Sequence, residues 1–150
     1  MATALELLRD RLMEDTVELS YDNIDGIPTL RVVLDSMGVD EDGLVVAEIS
    51  NIPVEEDTKY GYYHFMCILA NKLEDSQVSE TLVNLNRINM ETLLGAYSVI
   101  TEAGTVVHKY VLRTQEEKAE ETADAIYSCL VDIVSIINND YDRVLSAIAE

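Results

Sequence analysis

Residues 84–113, NLNRINMETLLGAYSVITEAGTVVHKYVLR, constrain the fold more than any other stretch of this 150-residue chain. Val78, Leu82, Leu85 and Ile88 or Asn89 lead into it at helical spacing and predict a helix over 76–89, with Ser76 or Ser79 capping its start. Asn86 and Asn89 stand where that helix closes, because asparagine tolerates the left-handed conformation that ends helices. Two apolar segments then follow, 95–101 and 105–112. They flank Glu102-Ala103-Gly104 and read as a hairpin in which Gly104 takes a positive φ. A long amphipathic helix comes next, over 115–138. Its seam of Ala119, Ala123, Ile126, Leu130, Ile133 and Ile137 advances in steps of four and three. Asn138-Asn139-Asp140 interrupts or bends it, and 141–149 adds a final turn or two with Val144, Leu145 and Ile148 apolar.

Upstream, the pattern begins with a helix over 2–15. Thr3 is a cap candidate with Glu6 three positions on, and Leu5, Leu8 and Leu12 form a stripe. The stretch 16–28 is less defined: VELSYDN reads as a short strand and Asp25-Gly26 as a turn. A strand over 30–37 sets Leu30, Val32 and Leu34 on one face and Arg31, Val33 and Asp35 on the other. The loop GVDEDG leads to a strand over 44–52, ended by Pro53 and the acidic turn EEDTK. The strand over 60–70 is apolar on both faces. Tyr62, Met66 and Ile68 share one face, and Tyr63, Phe65 and Leu69 the other. A strand wetted on one side alternates apolar and polar residues, so both faces of this one are expected to be covered. The whole predicts a single α+β domain over 1–150, with five antiparallel strands and helices mainly on one face, in the order α-β-β-β-α-β-β-α.

Composition narrows the partners. A chain this long buries about 70% of its unfolded surface and sustains a real core. Its 29 acidic and 10 basic side chains give a net charge of -19. A polyanion is repelled by nucleic acid and by anionic membrane surfaces, so neither is expected as a partner. The charge keeps the protein in solution or complements a basic partner. No apolar run reaches the roughly 18 residues of a membrane span. The N-terminal MATALELLRDRLMED is charged throughout and is not a signal peptide. Cys67 and Cys129 are isolated and read as small core residues of a reducing compartment, so the expected location is the cytoplasm.

The chemistry-bearing residues point away from catalysis. Nucleophilic catalysis needs a nucleophile beside an oriented base. The two imidazoles, His64 and His108, sit in strands. His64 points with Tyr62 and Met66, and His108 with Val106 and Tyr110. Neither has metal-ligand spacing with Cys67 or Cys129. Asp40-Glu41-Asp42-Gly43 is only a fragment of a calcium loop and reads as a solvated turn. Glu55-Glu56-Asp57 lies in a turn. Glu116-Glu117 lies at a helix start, where negative charge complements the macrodipole. No phosphate-binding glycine motif follows a strand, so no cofactor, metal or catalytic group is expected. Tyr60, Tyr62, Tyr63, Tyr97 and Tyr110 fall on or beside strands, and tyrosine supplies large contact area with a polar tip. Tyr62, Tyr63, Phe65 and Met66 are therefore the candidate protein interface. The doubly apolar strand also favours a homodimer, because large exposed apolar patches are rare on monomers.

The element order, the acidic character and four local features resemble the YbjN family of bacterial sensory-transduction regulators. The features are LNRIN at 85–89, Gly95-Ala96-Tyr97, the turn Glu102-Ala103-Gly104-Thr105, and the long closing helix. The resemblance covers roughly 28–138. It implies a fold similar to class I type III secretion chaperones, which are small acidic homodimers that hold partly unfolded protein segments. The expected function is a non-enzymatic protein-binding module, chaperone-like or regulatory. The alternative is a stress-response or structural domain with a small-molecule pocket.

Overall fold

The structure is a computed structural model and describes residues 1–15, 18–54, 60–115 and 118–150. The acidic turn at 55–57 and Glu116-Glu117 lie outside the described residues. The chain runs α1 (Ala4–Glu14), β1 (Leu19–Ile24), β2 (Ile27–Met37), β3 (Gly43–Ile52), β4 (Tyr60–Ala70), α2 (Asp75–Asn89), β5 (Ala96–Ile100), β6 (Thr105–Gln115) and α3 (Ala119–Ser146). The six strands form one open antiparallel sheet in the order β1-β2-β3-β4-β6-β5. The α+β class is as expected. The strand count is corrected from five to six, and the order becomes α-β-β-β-β-α-β-β-α. The added strand is β1. It is an edge strand and mostly exposed, so burial imposes no apolar alternation on it. Asp25 and Gly26 join it to β2 with φ of 53° and 81°, the two positive values that a tight two-residue hairpin requires.

The three helices share one buried cluster with one face of the sheet. In α1, Leu5, Leu8 and Leu12 are buried, and the Thr3 hydroxyl accepts a hydrogen bond from the Glu6 amide, as the capping pattern predicts. From α3 come Ala123, Ile126, Leu130, Ile133 and Ile137, joined by Cys129, Tyr141 and Val144. The sheet contributes Leu30, Val32, Val45, Ala47, Ile49, Tyr63, Phe65, Cys67, Tyr97, Val99 and Val106. No helix among the described residues is long and apolar enough to cross a membrane.

Four local expectations change. Helix α3, expected from 115, begins at Ala119, because β6 runs on to Gln115. Helix α2 starts one residue earlier than Ser76, with Glu74 at its N-cap and the Gln77 Oε1 accepting from the Glu74 amide at 2.8 Å. Asn86 and Asn89 do not take left-handed backbone, and the helix closes at Met90 with φ of -64°. Helix α3 passes through Asn138-Asn139-Asp140 without a break. Asn138 Oδ1 accepts the Gly38 amide at 2.9 Å, and Asp142 accepts the Val39 amide at 2.9 Å. Asparagine and aspartate weaken a helix by competing for its backbone. Here the Asn138 and Asp142 side chains are turned away from the helix backbone to hold the β2–β3 turn, and a helix of 28 residues runs on.

Beyond the helix end, Ala149 N–H donates to Thr81 Oγ1, and the carbonyls of Ala147 and Ala149 accept from Asn84 and Gln77. The C-terminal residues are thus strapped to α2 and lie on the helical side. Strand β1 extends the sheet sideways. Neither segment folds back over the other face of the sheet.

Candidate functional site

Two polar or exposed features could carry function: a buried junction on the helical side and the sheet face away from the three helices.

The junction is built by the stretch singled out in the sequence. Asn89, at the end of α2, accepts from the Tyr97 amide at 2.7 Å and donates to the Tyr97 carbonyl at 2.9 Å. Its side-chain amide mimics a neighbouring strand and satisfies the outer edge of β5. Tyr97 is buried. Its hydroxyl donates to Asp140 at 2.9 Å, and Arg143 holds the other Asp140 oxygen at 2.7 Å and Glu91 at 2.8 Å. Burial, then the Asp140 charge and hydrogen bond, push the Tyr97 phenol well above its ordinary range. It therefore stays a donor.

His108 is fully buried, edge-on to Tyr97, with Nε2 2.8 Å from the Leu94 carbonyl. Burial lowers its pKa, against the Leu94 hydrogen bond and the Asp140 charge. The ring is thus neutral at pH 7. Its Nε2–H donates to Leu94, and Nδ1 has no partner among the described residues. Gly95 permits this approach, since a Cβ there would lie 2.6 Å from the His108 ring. The junction ties the end of α2, the start of β5 and the last third of α3 together.

The cysteines are equally structural. Burial pushes the Cys67 thiol up to about 12 and the Cys129 thiol up to about 11, so neither is a thiolate at neutral pH. No group of three or more His, Cys, Asp or Glu among the described residues is placed to share a metal ion. His64 and His108 lie on opposite faces of the sheet. A groove of about 550 Å³ between α2 and α3 is lined by Asn84, Arg87, Ile88, Asp142, Arg143, Ser146 and Ala147. Its Arg143 is already engaged by Glu91 and Asp140.

The open sheet face is assembled by register. Across β2, β3, β4 and β6, one row reads Val33, Val46, Ile68, Val107, continued on β5 by Ser98. The next reads Arg31, Glu48, Met66, Lys109, Ala96. A third reads Thr29, Ser50, His64, Val111, and Ile52, Tyr62 and Arg113 form the last. Val33, Val46, Met66 and Ile68 are half-buried by their neighbours and take no part in the core cluster, and Val107 at the far side of its row is fully buried. The charge balance also changes here. Arg31, Lys109 and Arg113 rise from this face beside Glu48, Asp35 and the edge residue Asp22, in a chain whose net charge is -19. Arg31 reaches Glu48 at 3.5 Å. Partial burial, then Lys109, hold the His64 imidazole below its ordinary range.

The four residues expected to form an interface divide between the two faces. Tyr62 and Met66 lie on the open face. Tyr63 and Phe65, at 2% and 0% exposure, lie beneath the helices. Among the described residues, strand β4 is covered by helices on one side only, so the cover expected for its second face does not come from the helices of this chain. Sequence reasoning missed Val33, Val46, Glu48 and Lys109. The signal was the alternation along β3, where Val45, Ala47 and Ile49 share one face and Val46, Glu48 and Ser50 the other. Placing them beside Met66 required the strand register.

Compared with known proteins, the chain matches no family model and no curated protein.

Proposed function

We propose that this chain is a non-enzymatic protein-binding module, chaperone-like or regulatory, that acts in the cytoplasm and binds protein through its open sheet face. The observation that carries the reading is the cross-strand row Val33–Val46–Ile68, beside Met66, with no described helix of the chain over it. Contiguous apolar surface of this kind marks an interaction site. Self-association into a homodimer is the simplest use of the face, and further protein segments bind at the assembled surface. The resemblance to the YbjN family and to secretion chaperones points to the same class of task. Nothing in the buried junction competes with this reading, because its hydrogen bonds are spent on holding α2, β5 and α3 together.

The test is capture from native cell extract on immobilised protein, comparing wild type with Ile68→Asp and Val46→Asp. Both changes place a charge on the open face and leave the core untouched. Partners retained by wild type and lost from both variants support the open face. Partners retained equally by all three would place binding elsewhere.

A further inference from the structure

The pattern of charges on the open face points to one particular self-complementary arrangement, and we infer that two copies pack face to face about a two-fold axis running parallel to β4. The inference rests on the open-face reading and names its first occupant, a second copy of this chain. Sheets that pack face to face keep their strands within about 30° of each other and about 10 Å apart. Closed two-fold pairs meet by the same patch on both copies. An axis along β4 exchanges the strands on either side of it, so β3 of one copy lies over β6 of the other.

The registered rows then determine every opposition. Glu48 stands one strand to one side of Met66, and Lys109 one strand to the other. The axis therefore sets Glu48 against Lys109 of the second copy, and by symmetry Lys109 against Glu48, giving two ion pairs. In the neighbouring row, Ile68 meets its own counterpart, and Val46 comes over the position of Val107, which its own chain already buries. Val33 meets Ser98. Met66, His64 and Tyr62 lie on the axis and each meet themselves.

The alternative two-fold, perpendicular to the strands through Met66, fails on charge. It would set Arg31 against Arg31, Glu48 against Glu48 and Lys109 against Lys109. Like-charge juxtaposition across an interface is strongly unfavourable. The same charges also explain why an acidic chain associates here. The open face is where the charge balance is close to even, so two copies meet without the repulsion that their acidic surfaces elsewhere impose.

The decisive experiment mixes two charge-reversed variants. Glu48→Lys alone would set the introduced lysine against Lys109 twice, and Lys109→Glu alone would set the introduced glutamate against Glu48 twice. Each is expected to weaken the dimer by ~10-fold or more. In an equimolar mixture, one chain carries lysine at both positions and the other glutamate at both, and both oppositions become favourable. The expected result, by analytical ultracentrifugation, is a wild-type dimer, two weakened homodimers and a restored heterodimer. Altered stability within one chain cannot produce that restoration.

A second measurement avoids charge reversal, because Glu48→Lys also disturbs the Arg31 contact. Met66→Cys places a thiol beside the axis. Since Cys67 and Cys129 are buried, a short bifunctional thiol reagent should give a covalent dimer with this variant and not with Ile24→Cys at the sheet edge. A wild-type dimer whose single variants stay fully dimeric, or whose mixture fails to recover, overturns the axis while the open-face reading stands. A wild-type monomer overturns self-association altogether, and the capture experiment then decides separately whether the open face binds other proteins.

Discussion

The two faces of β4 carry nearly the same kinds of side chain and have opposite fates. Tyr63, Phe65 and Cys67 are at 2%, 0% and 0% exposure beneath α1 and α3. Tyr62, Met66 and Ile68, offset by one residue, are half-buried and face outward. What separates them is the location of the helices, all of which pack from one side. One face is therefore a finished core, and the other carries an apolar row, Val33–Val46–Ile68 beside Met66, among charged and polar neighbours. The charged groups follow the same division. On the covered side, Tyr97, Asp140, Arg143 and the Nε2 of His108 bond to one another, to Glu91 or to the backbone. On the open side, Arg31, Glu48 and Lys109 present their charges outward.

The sharpest way to break this contrast is truncation on each face of one strand. Phe65→Ala should cost about 3–5 kcal/mol of unfolding free energy, the range for a buried aromatic. Met66→Ala, measured by denaturant unfolding at dilution where subunits are apart, should cost under about 1.5 kcal/mol. Equal costs would mean that the open face is as fully packed as the core.

A smaller effect tests the junction. Asn89→Ala leaves the edge of β5 without its side-chain partner and should cost about 1–3 kcal/mol, the penalty for orphaned buried backbone groups. Asn86→Ala, at an exposed position of the same helix, should fall within about 0.5 kcal/mol of wild type. If the two cost the same, the Asn89–Tyr97 contact is not what fixes the start of β5.

Acidity provides a third comparison. His64 and His108 are both held below the ordinary histidine value of 6.5, so the unfolded chain binds protons that the fold does not. Stability is then fully present above pH 6.5 and is lost as pH falls below it. His108→Gln should remove the larger part of that slope, because His108 is fully buried and His64 is only partly so. The window is pH ~7.5 to about 5.5, above the range in which carboxylates take up protons. A profile that is flat or rises on acidification in this window would contradict the neutral assignment of His108.

The smallest effect is that of salt. Between Val32 and Thr58 the chain carries eight acidic residues and no Lys or Arg. Their repulsion is screened as the Debye length contracts to about 10 Å at 0.1 M. The melting temperature should rise modestly from low salt to about 0.2 M NaCl, with Glu48 contributing least because Arg31 already faces it. A flat response would show that these carboxylates are already well spread or paired.

Much of the fold was legible because burial writes periodicity into sequence. The α3 seam, the α1 stripe with its Thr3 cap, and the hairpin turning at Gly104, whose φ is 63°, are all where the pattern put them. Strand β1 was weakly written, since an exposed edge imposes no alternation. The end of α2 falls at Asn89 as expected, but the left-handed closure there and the break at 138–140 were misread for a shared reason. Asparagine and aspartate signal helix termini through their local hydrogen bonding. Here Asn89, Asn138 and Asp140 bond to Tyr97, to the Gly38 amide and to the Tyr97 hydroxyl, partners that only the tertiary fold brings near. The open face was half legible. Tyr62 and Met66 follow from alternation along one strand, but their neighbours Val46, Glu48 and Lys109 depend on cross-strand register, which no single segment encodes.

The central claim is that the open face is covered by protein, first of all by a second copy. The most direct test is the mass in solution by multi-angle light scattering at micromolar concentration, repeated with Ile68→Asp. The account predicts twice the chain mass of 16.8 kDa for wild type and a single chain mass for the folded variant. A clean 16.8 kDa species for wild type across that concentration range would contradict it.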